Sequence, residues 1–322
     1  QRQCTRTGCG EVQQHMTASG HQYDASGKCS KCSKKFTFTK SDASDWEYTL
    51  HETDKTILLK KYIGTKTALS IPAKMDVTVD GKKSSYQVVF GGHYEDRVKA
   101  SVFASNKKAG IQAVTFESGV KIDNMDYMFA GCEKLEMVGT IPSTVTSMKG
   151  TFKNCSEFCS VAALPTNLTE ISNAFEGCEK METAPAIPAG ITSLYAAFKN
   201  CKNLAVAPTL PAKLINLDWT FSGCESLSAA PAIPDTVTAM TNTFEGCKTL
   251  LAIPASIPAG VTKLTMTFYD CDALENVPQL PNTIEEMEYT FKNCDKLCYA
   301  AGLPKNLTRS VGIFEGCEKY ED

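Results

Sequence analysis

Apolar residues in the second half of the chain follow a fixed order. Met181, Ala184 and Ile187 lead to Ile191, Leu194 and Phe198, and their equivalents recur every 23 residues on either side. A coil with so few apolar groups cannot close a core alone. The pattern therefore predicts coils stacked on their neighbours into one continuous core, a repeat solenoid.

Two columns mark the period. Phe129, Phe152, Phe175, Phe198, Phe221, Phe244, Phe268, Phe291 and Phe314 are each followed three residues later by a cysteine, from Cys132 to Cys317. The residue before each cysteine is Gly131, Asn154, Gly177, Asn200, Gly223, Gly246, Asp270, Asn293 or Gly316. Glycine, asparagine and aspartate share tolerance of the left-handed backbone region, so each coil is expected to turn there with positive φ. A proline column, from Pro142 through Pro188 to Pro304, fixes a second corner that no long helix accommodates. At sheet spacing, roughly 4.8 Å per coil, phenylalanine and cysteine would form two internal ladders. Buried thiols packing as small hydrophobes are expected there, since a ladder of nine cannot pair completely into disulfides. Cys159 and Cys298 lie four residues past ladder cysteines, in a column expected to be exposed, either bonded locally to Cys155 and Cys294 or free.

Composition fits this picture. The 322 residues are 43% hydrophobic, enough for a core, and carry 15 cysteines but only four histidines and two tryptophans. Net charge is −3, with the first 128 residues net basic and the remainder net acidic, which argues against general nucleic-acid binding. The chain opens at Gln1 without an apolar leader and has no run of about 18 apolar residues, so no membrane span is expected in this segment.

The words "FEGCEKMETAPAIPAGITSLYAAF" and "FKNCKNLAVAPTLPAKLINLDWTF" resemble the BspA-like leucine-rich repeats of bacterial cell-surface proteins. The resemblance rests on phenylalanine, turn residue, cysteine, leucine or methionine, Ala-Pro, Ile-Pro and Val-Thr recurring in one order from Phe129 to Cys317. It implies a β-rich, right-handed, extracellular solenoid, secreted or attached to the cell surface, that binds host or microbial partners. Three regions are expected: a small cysteine module over 1–35, irregular opening coils over 36–128, and regular 23-residue repeats over 129–322. Repeat one departs from the pattern with Gly139 where later units have Pro185, and one extra residue precedes Pro258.

The N-terminal module carries Cys4, Cys9, Cys29 and Cys32 as C-x4-C-x19-C-x2-C. Two close pairs suit a tetrahedral structural zinc, with His15 and His21 as further possible ligands. Two disulfides would equally staple so short a segment in an oxidising exterior, and both remain open at this point.

Enzyme signatures are missing from the sequence: there is no H-E-x-x-H, G-x-S-x-G, phosphate loop or dinucleotide fingerprint. His51 and His93 are isolated, "GGHYED" at 91–96 reads as a polar loop, and Glu285, Glu286 and Glu288 as a solvated face. Non-enzymatic binding to proteins or glycans is the better expectation, with a structural spacer as the alternative. The candidate contact column runs Tyr127, Gly150, Asn173, Ala196, Trp219, Asn242, Met266, Tyr289 and Gly312. A buried stack of such unequal volumes would leave voids or clashes, so the column is expected to be exposed. Trp219, Tyr289, Met266, Tyr127 and the neighbouring Tyr195 are the candidate anchors.

Overall fold

The computed structural model describes residues 21–90, 102–103 and 110–320, and these form a β-solenoid with almost no helix. Its first sheet is wholly parallel, in the order β1 (Thr39–Lys40), β4 (Ala68–Ile71), β7 (Ala113–Phe116), β8 (Met137–Val138) and β9 (Ser160–Val161). Each strand comes from a successive coil, so the sheet grows along the solenoid axis. Beyond β9 the coils narrow to single bridges such as Thr183↔Val206, until β10 (Asn276–Val277) pairs with β12 (Tyr299–Ala300) and β11 (Glu286–Glu288) with β13 (Arg309–Val311).

The opening region is more regular than its sequence suggested. β2 (Trp46–His51), β3 (Thr56–Tyr62), β5 (Lys74–Val79) and β6 (Lys82–Val89) form a separate mixed sheet in the order β2-β3-β6-β5. Edge-to-face rings of Trp46 against Tyr62, Phe90 and Phe103, with centroids 5.1 to 6.0 Å apart, fill its core. Phe103 then stacks on Phe129 at 4.7 Å, which joins this cap to the repeats.

The expected ladders are present. Successive phenylalanine rings from Phe129 to Phe314 lie 5.4 to 6.0 Å apart and within 23° of parallel. That spacing exceeds the sheet distance because the rings stack with an offset. All nine turn residues from Gly131 to Gly316 take positive φ, between 54° and 76°.

Cysteine's place in the ladder has a further cause. From Cys155 to Cys317, each thiol donates to the carbonyl of the phenylalanine one coil earlier, as Cys155 to Phe129 and Cys224 to Phe198, at 2.9 to 3.3 Å along the stack. That buried carbonyl also takes the cysteine N–H of its own coil, so both of its acceptor positions are used. The ladder cysteines are free thiols. A second donor column escaped the sequence: hydroxyls of Thr151, Thr220, Thr243, Thr267 and Thr290 donate to Met125, Leu194, Leu217, Met240 and Leu264 carbonyls at 2.8 to 3.0 Å. The extra residue before Pro258 leaves both columns intact, with donor and acceptor there 27 residues apart instead of 26.

On the face that carries the phenylalanine ladder the backbone bonds between coils share one direction, whereas elsewhere, as at Thr146 to Asp123 and Cys159 to Glu136, N–H groups donate to the preceding coil. Tyr127, Phe129 and Gly131 donate their N–H groups to Lys149, Thr151 and Lys153 carbonyls at 2.8 to 3.0 Å, and the pattern repeats to Asn293 and Glu315. Intervening N–H groups close turns within the coil, as Met128 to Met125. Every inter-coil peptide of this face therefore points its donor toward the C-terminal end.

Residues 21–36 form a small hairpin, with antiparallel bridges Tyr23↔Cys29 and Lys28↔Lys35, seated on the flank of the first sheet. Tyr23, Cys29 and Phe36 pack against Ala113, Met137 and Cys159. Cys159 is thus buried, contrary to expectation, because the hairpin covers its column; Cys298, five coils beyond the hairpin's edge, is exposed, and both are free thiols. Gly139 also finds its reason here. A β-carbon there would meet Thr115 Oγ1 of the preceding coil at 2.7 Å and crowd the Ala25 carbonyl of the hairpin at 3.3 Å, so glycine relieves both contacts.

Candidate recognition face and metal centre

The column expected to be exposed is a second row of left-handed residues. Tyr127, Gly150, Asn173, Ala196, Trp219, Asn242, Met266, Tyr289 and Gly312 all have φ between 50° and 61°. The expectation that the column is exposed holds at Tyr127 and is corrected for the rest by their burial. Tyr127 is 37% exposed; Trp219, Met266 and Tyr289 are half-buried; Ala196 and Asn242 are buried. Unequal volumes are accommodated where a large ring leans along the axis over a small neighbour. The Tyr127 ring occupies the space that a β-carbon on Gly150 would need, and Tyr289 does the same at Gly312. Gly150→Ala should cost about 2 kcal/mol from its positive φ and the ring clash together. In a Tyr127→Ala background the cost should fall to about 1 kcal/mol, read from urea unfolding; equal costs in both backgrounds would contradict the leaning ring.

On this face the candidate anchors gather toward the C-terminal half. Lys199 places its ammonium 3.7 Å from the centroid of the Trp219 ring, and Lys292 sits 5.1 Å from that of Tyr289. Tyr195, one coil before Trp219, is 42% exposed. Met266 and Tyr289 occupy adjacent coils, whereas Tyr127 stands four coils from Trp219. Half-buried Asp218, beside Trp219, takes the Thr241 N–H at 2.7 Å, and burial raises its carboxyl above the ordinary range. The result is a row of aromatic surfaces and ammonium groups on a frame held by repeated inter-coil backbone bonds. Such a surface can stack against apolar faces and accept or donate at its rim; it gathers no nucleophile, base and acid.

A second candidate centre lies in the hairpin. Cys4 and Cys9 fall outside the described residues, but Cys29 and Cys32 come together with His21. Nδ1 of His21 lies 3.4 Å from Cys29 Sγ and 3.3 Å from Cys32 Sγ, and the three donor atoms all lie within 4.8 Å of one another. The Lys31 N–H points to Cys29 Sγ and the Lys34 N–H to Cys32 Sγ, each at 3.4 Å. Burial opposes ionisation of Cys29, but the bonds from His21 and from the Lys31 and Gln22 backbones outweigh it and bring the thiol down to about 6. One imidazole and two thiolates are a donor set suited to a borderline-soft metal. Spacing alone could not place His21 here, because its approach depends on the Tyr23↔Cys29 bridge.

The hairpin is tied to the flank by polar contacts. The Tyr23 hydroxyl donates to Glu136 at 2.7 Å, Lys34 pairs with Glu136 at 2.6 Å, and Lys31 with Glu182 at 2.8 Å. A cleft of about 390 Å³ remains along this seam, lined by Gln22, Tyr23, Ser160, Met181, Thr183 and Pro185. No helix among the described residues is long and apolar enough to cross a membrane.

Comparison with known proteins places this architecture. The structure is similar to that of a leucine-rich cell surface protein from Faecalibacterium prausnitzii A2-165, with a TM-score of 0.57 and 23% identity over 89% of each chain. It is also similar to a leucine-rich repeat protein from Bacteroides ovatus ATCC 8483, with a TM-score of 0.48 and 19% identity over 88% of this chain and 92% of that one. No curated protein matches the chain. The family model for the BspA type leucine-rich repeat region matches residues 96–205 and 197–321, in six copies. The stacked coils with their phenylalanine and cysteine ladders thus belong to a member of the BspA-type leucine-rich repeat family.

Proposed function

We propose that this chain is a non-enzymatic recognition or adhesion protein, secreted or attached to a bacterial surface, that binds host or microbial proteins or glycans. The observation that carries this reading is the row of Tyr195, Trp219, Met266 and Tyr289 with Lys199 and Lys292 over two rings. Aromatic residues on a rigid frame lose little freedom on binding and are the usual anchors of protein and sugar contacts. Leucine-rich repeats serve commonly as interaction scaffolds, and the similar Faecalibacterium protein is described as a cell surface protein, which supports an extracellular place. In this reading the N-terminal module holds a structural zinc rather than two disulfides, and the metal takes no part in chemistry.

The test sets the purified chain beside a Trp219→Ala Tyr289→Ala variant of matched thermal stability, on immobilised mucins, matrix proteins and microbial glycans. Saturable binding is expected, weakened at least about tenfold by the double change. Binding untouched by it would move the site off this face, and no binding to any surface would favour a structural spacer.

A further inference from the structure

The hairpin and the flank beneath it share residues in a way that links metal binding to docking. Lys31 and Lys34 each act twice. Their N–H groups point to the sulfurs of Cys29 and Cys32, while their ammonium groups reach Glu182 and Glu136 on the coils. Whatever fixes the two sulfurs therefore aims both lysines at the solenoid. Left to itself, a hairpin this short is marginal in water, and partly exposed ion pairs add only about 0 to 1 kcal/mol each. The seat is nonetheless shaped for it: Gly139 clears space for the Ala25 carbonyl, and Met137 and Cys159 turn apolar surface toward Tyr23 and Phe36.

We propose that His21, Cys29 and Cys32 bind a zinc ion, and that its binding locks the 21–36 hairpin onto the flank and closes it over Cys159. This deepens the structural-zinc reading above and rests on it, with His21 entering the ligand set. Imidazole nitrogen and two thiolate sulfurs supply three corners of a tetrahedron, and the backbone N–H bonds to sulfur stabilise the thiolates the metal requires. Metal binding releases the thiol protons and orders a segment that has little core of its own.

The experiment uses the full chain under reducing conditions, loaded with zinc or cobalt(II) and then treated with a chelator. Cobalt should give the sulfur-to-metal charge-transfer band and the intense visible bands of a tetrahedral thiolate site, and Cys32→Ser should diminish both. His21→Ala should weaken zinc at least tenfold, since even a lost outer-shell partner costs about that much. His21→Cys, which keeps a ligand, should bind well. Site-resolved alkylation reads the docking: chelation should open Cys159 to the reagent, while exposed Cys298 reacts throughout and ladder Cys201 stays protected. Unchanged zinc affinity in His21→Ala would remove His21 from the site. Equal protection of Cys159 with and without metal would overturn the lock. Cys29 or Cys32 recovered in a disulfide from the native chain would overturn both. None of these outcomes depends on the ligand-binding face, so they stand apart from the adhesion test.

Discussion

Raising the pH through 9 under reducing conditions is expected to unfold the repeats within about one pH unit. Burial holds the thiols of Cys155, Cys178, Cys201, Cys224, Cys247 and Cys271 above their ordinary value of 9.0. In the unfolded chain the same thiols ionise near that value. The unfolded state therefore binds fewer protons once the pH passes 9, and stability falls as pH rises toward the folded-state values. Below the unfolded value the contribution is fully present. Each such thiol approaches a slope of about 1.4 kcal/mol per pH unit above 9 and loses about 1 kcal/mol between pH 9 and 10, so six together lose roughly 6 kcal/mol, comparable with the whole stability of a typical domain. Circular dichroism and urea midpoints between pH 7 and 10 would measure this. A Cys201→Ala Cys224→Ala variant should lose about a third of the slope. A wild-type profile flat to pH 10 would mean that the ladder thiols are not closed off from water.

The second large effect is expected at the centre of the aromatic stack. Phe221 is fully buried, with Phe198 at 6.0 Å on one side and Phe244 at 5.7 Å on the other. Phe221→Ala should cost about 3 to 5 kcal/mol, since stacked coils on both sides cannot relax into the gap without giving up their inter-coil bonds. Tyr195→Ala, exposed on the same body, should change stability by less than about 0.5 kcal/mol. Because stability in a solenoid is close to a sum over neighbouring coils, the Phe221 variant should also split urea unfolding into two steps. A loss below 1 kcal/mol in a single step would contradict a continuous core through Phe221.

Much of the fold was legible because translation along an axis copies one set of constraints into every coil. The choice of glycine, asparagine or aspartate before each cysteine announced the positive φ found there. The Trp219 column was harder to read. Volume variation along a column reads as exposure, whereas Tyr127 over Gly150 shows that rings leaning along the axis even out the volumes. Spacing records which residues stack, but not which way a side chain leans. The threonine donors were obscured because Ala174 and Ala197 interrupt them, leaving no unbroken motif. In the opening region a usable signal existed: Met75 and Val77 alternate with Lys74, Asp76 and Thr78, the period of a half-buried strand. His21 could not have been placed by spacing, since its contact with both cysteines is made by a hairpin and not by a repeat.

The common direction of the inter-coil peptides has an evolutionary consequence. On the phenylalanine face each coil presents a donor row to the next and an acceptor row to the one before, and those rows are alike from Tyr127 to Glu315. A coil copied or lost as a whole would restore the same junction, while a coil reversed would set donors against donors. Reach is thus a heritable dimension in such a molecule: a lineage can lengthen or shorten its surface by whole-repeat duplication or loss, and leave selection free to act on the side chains displayed.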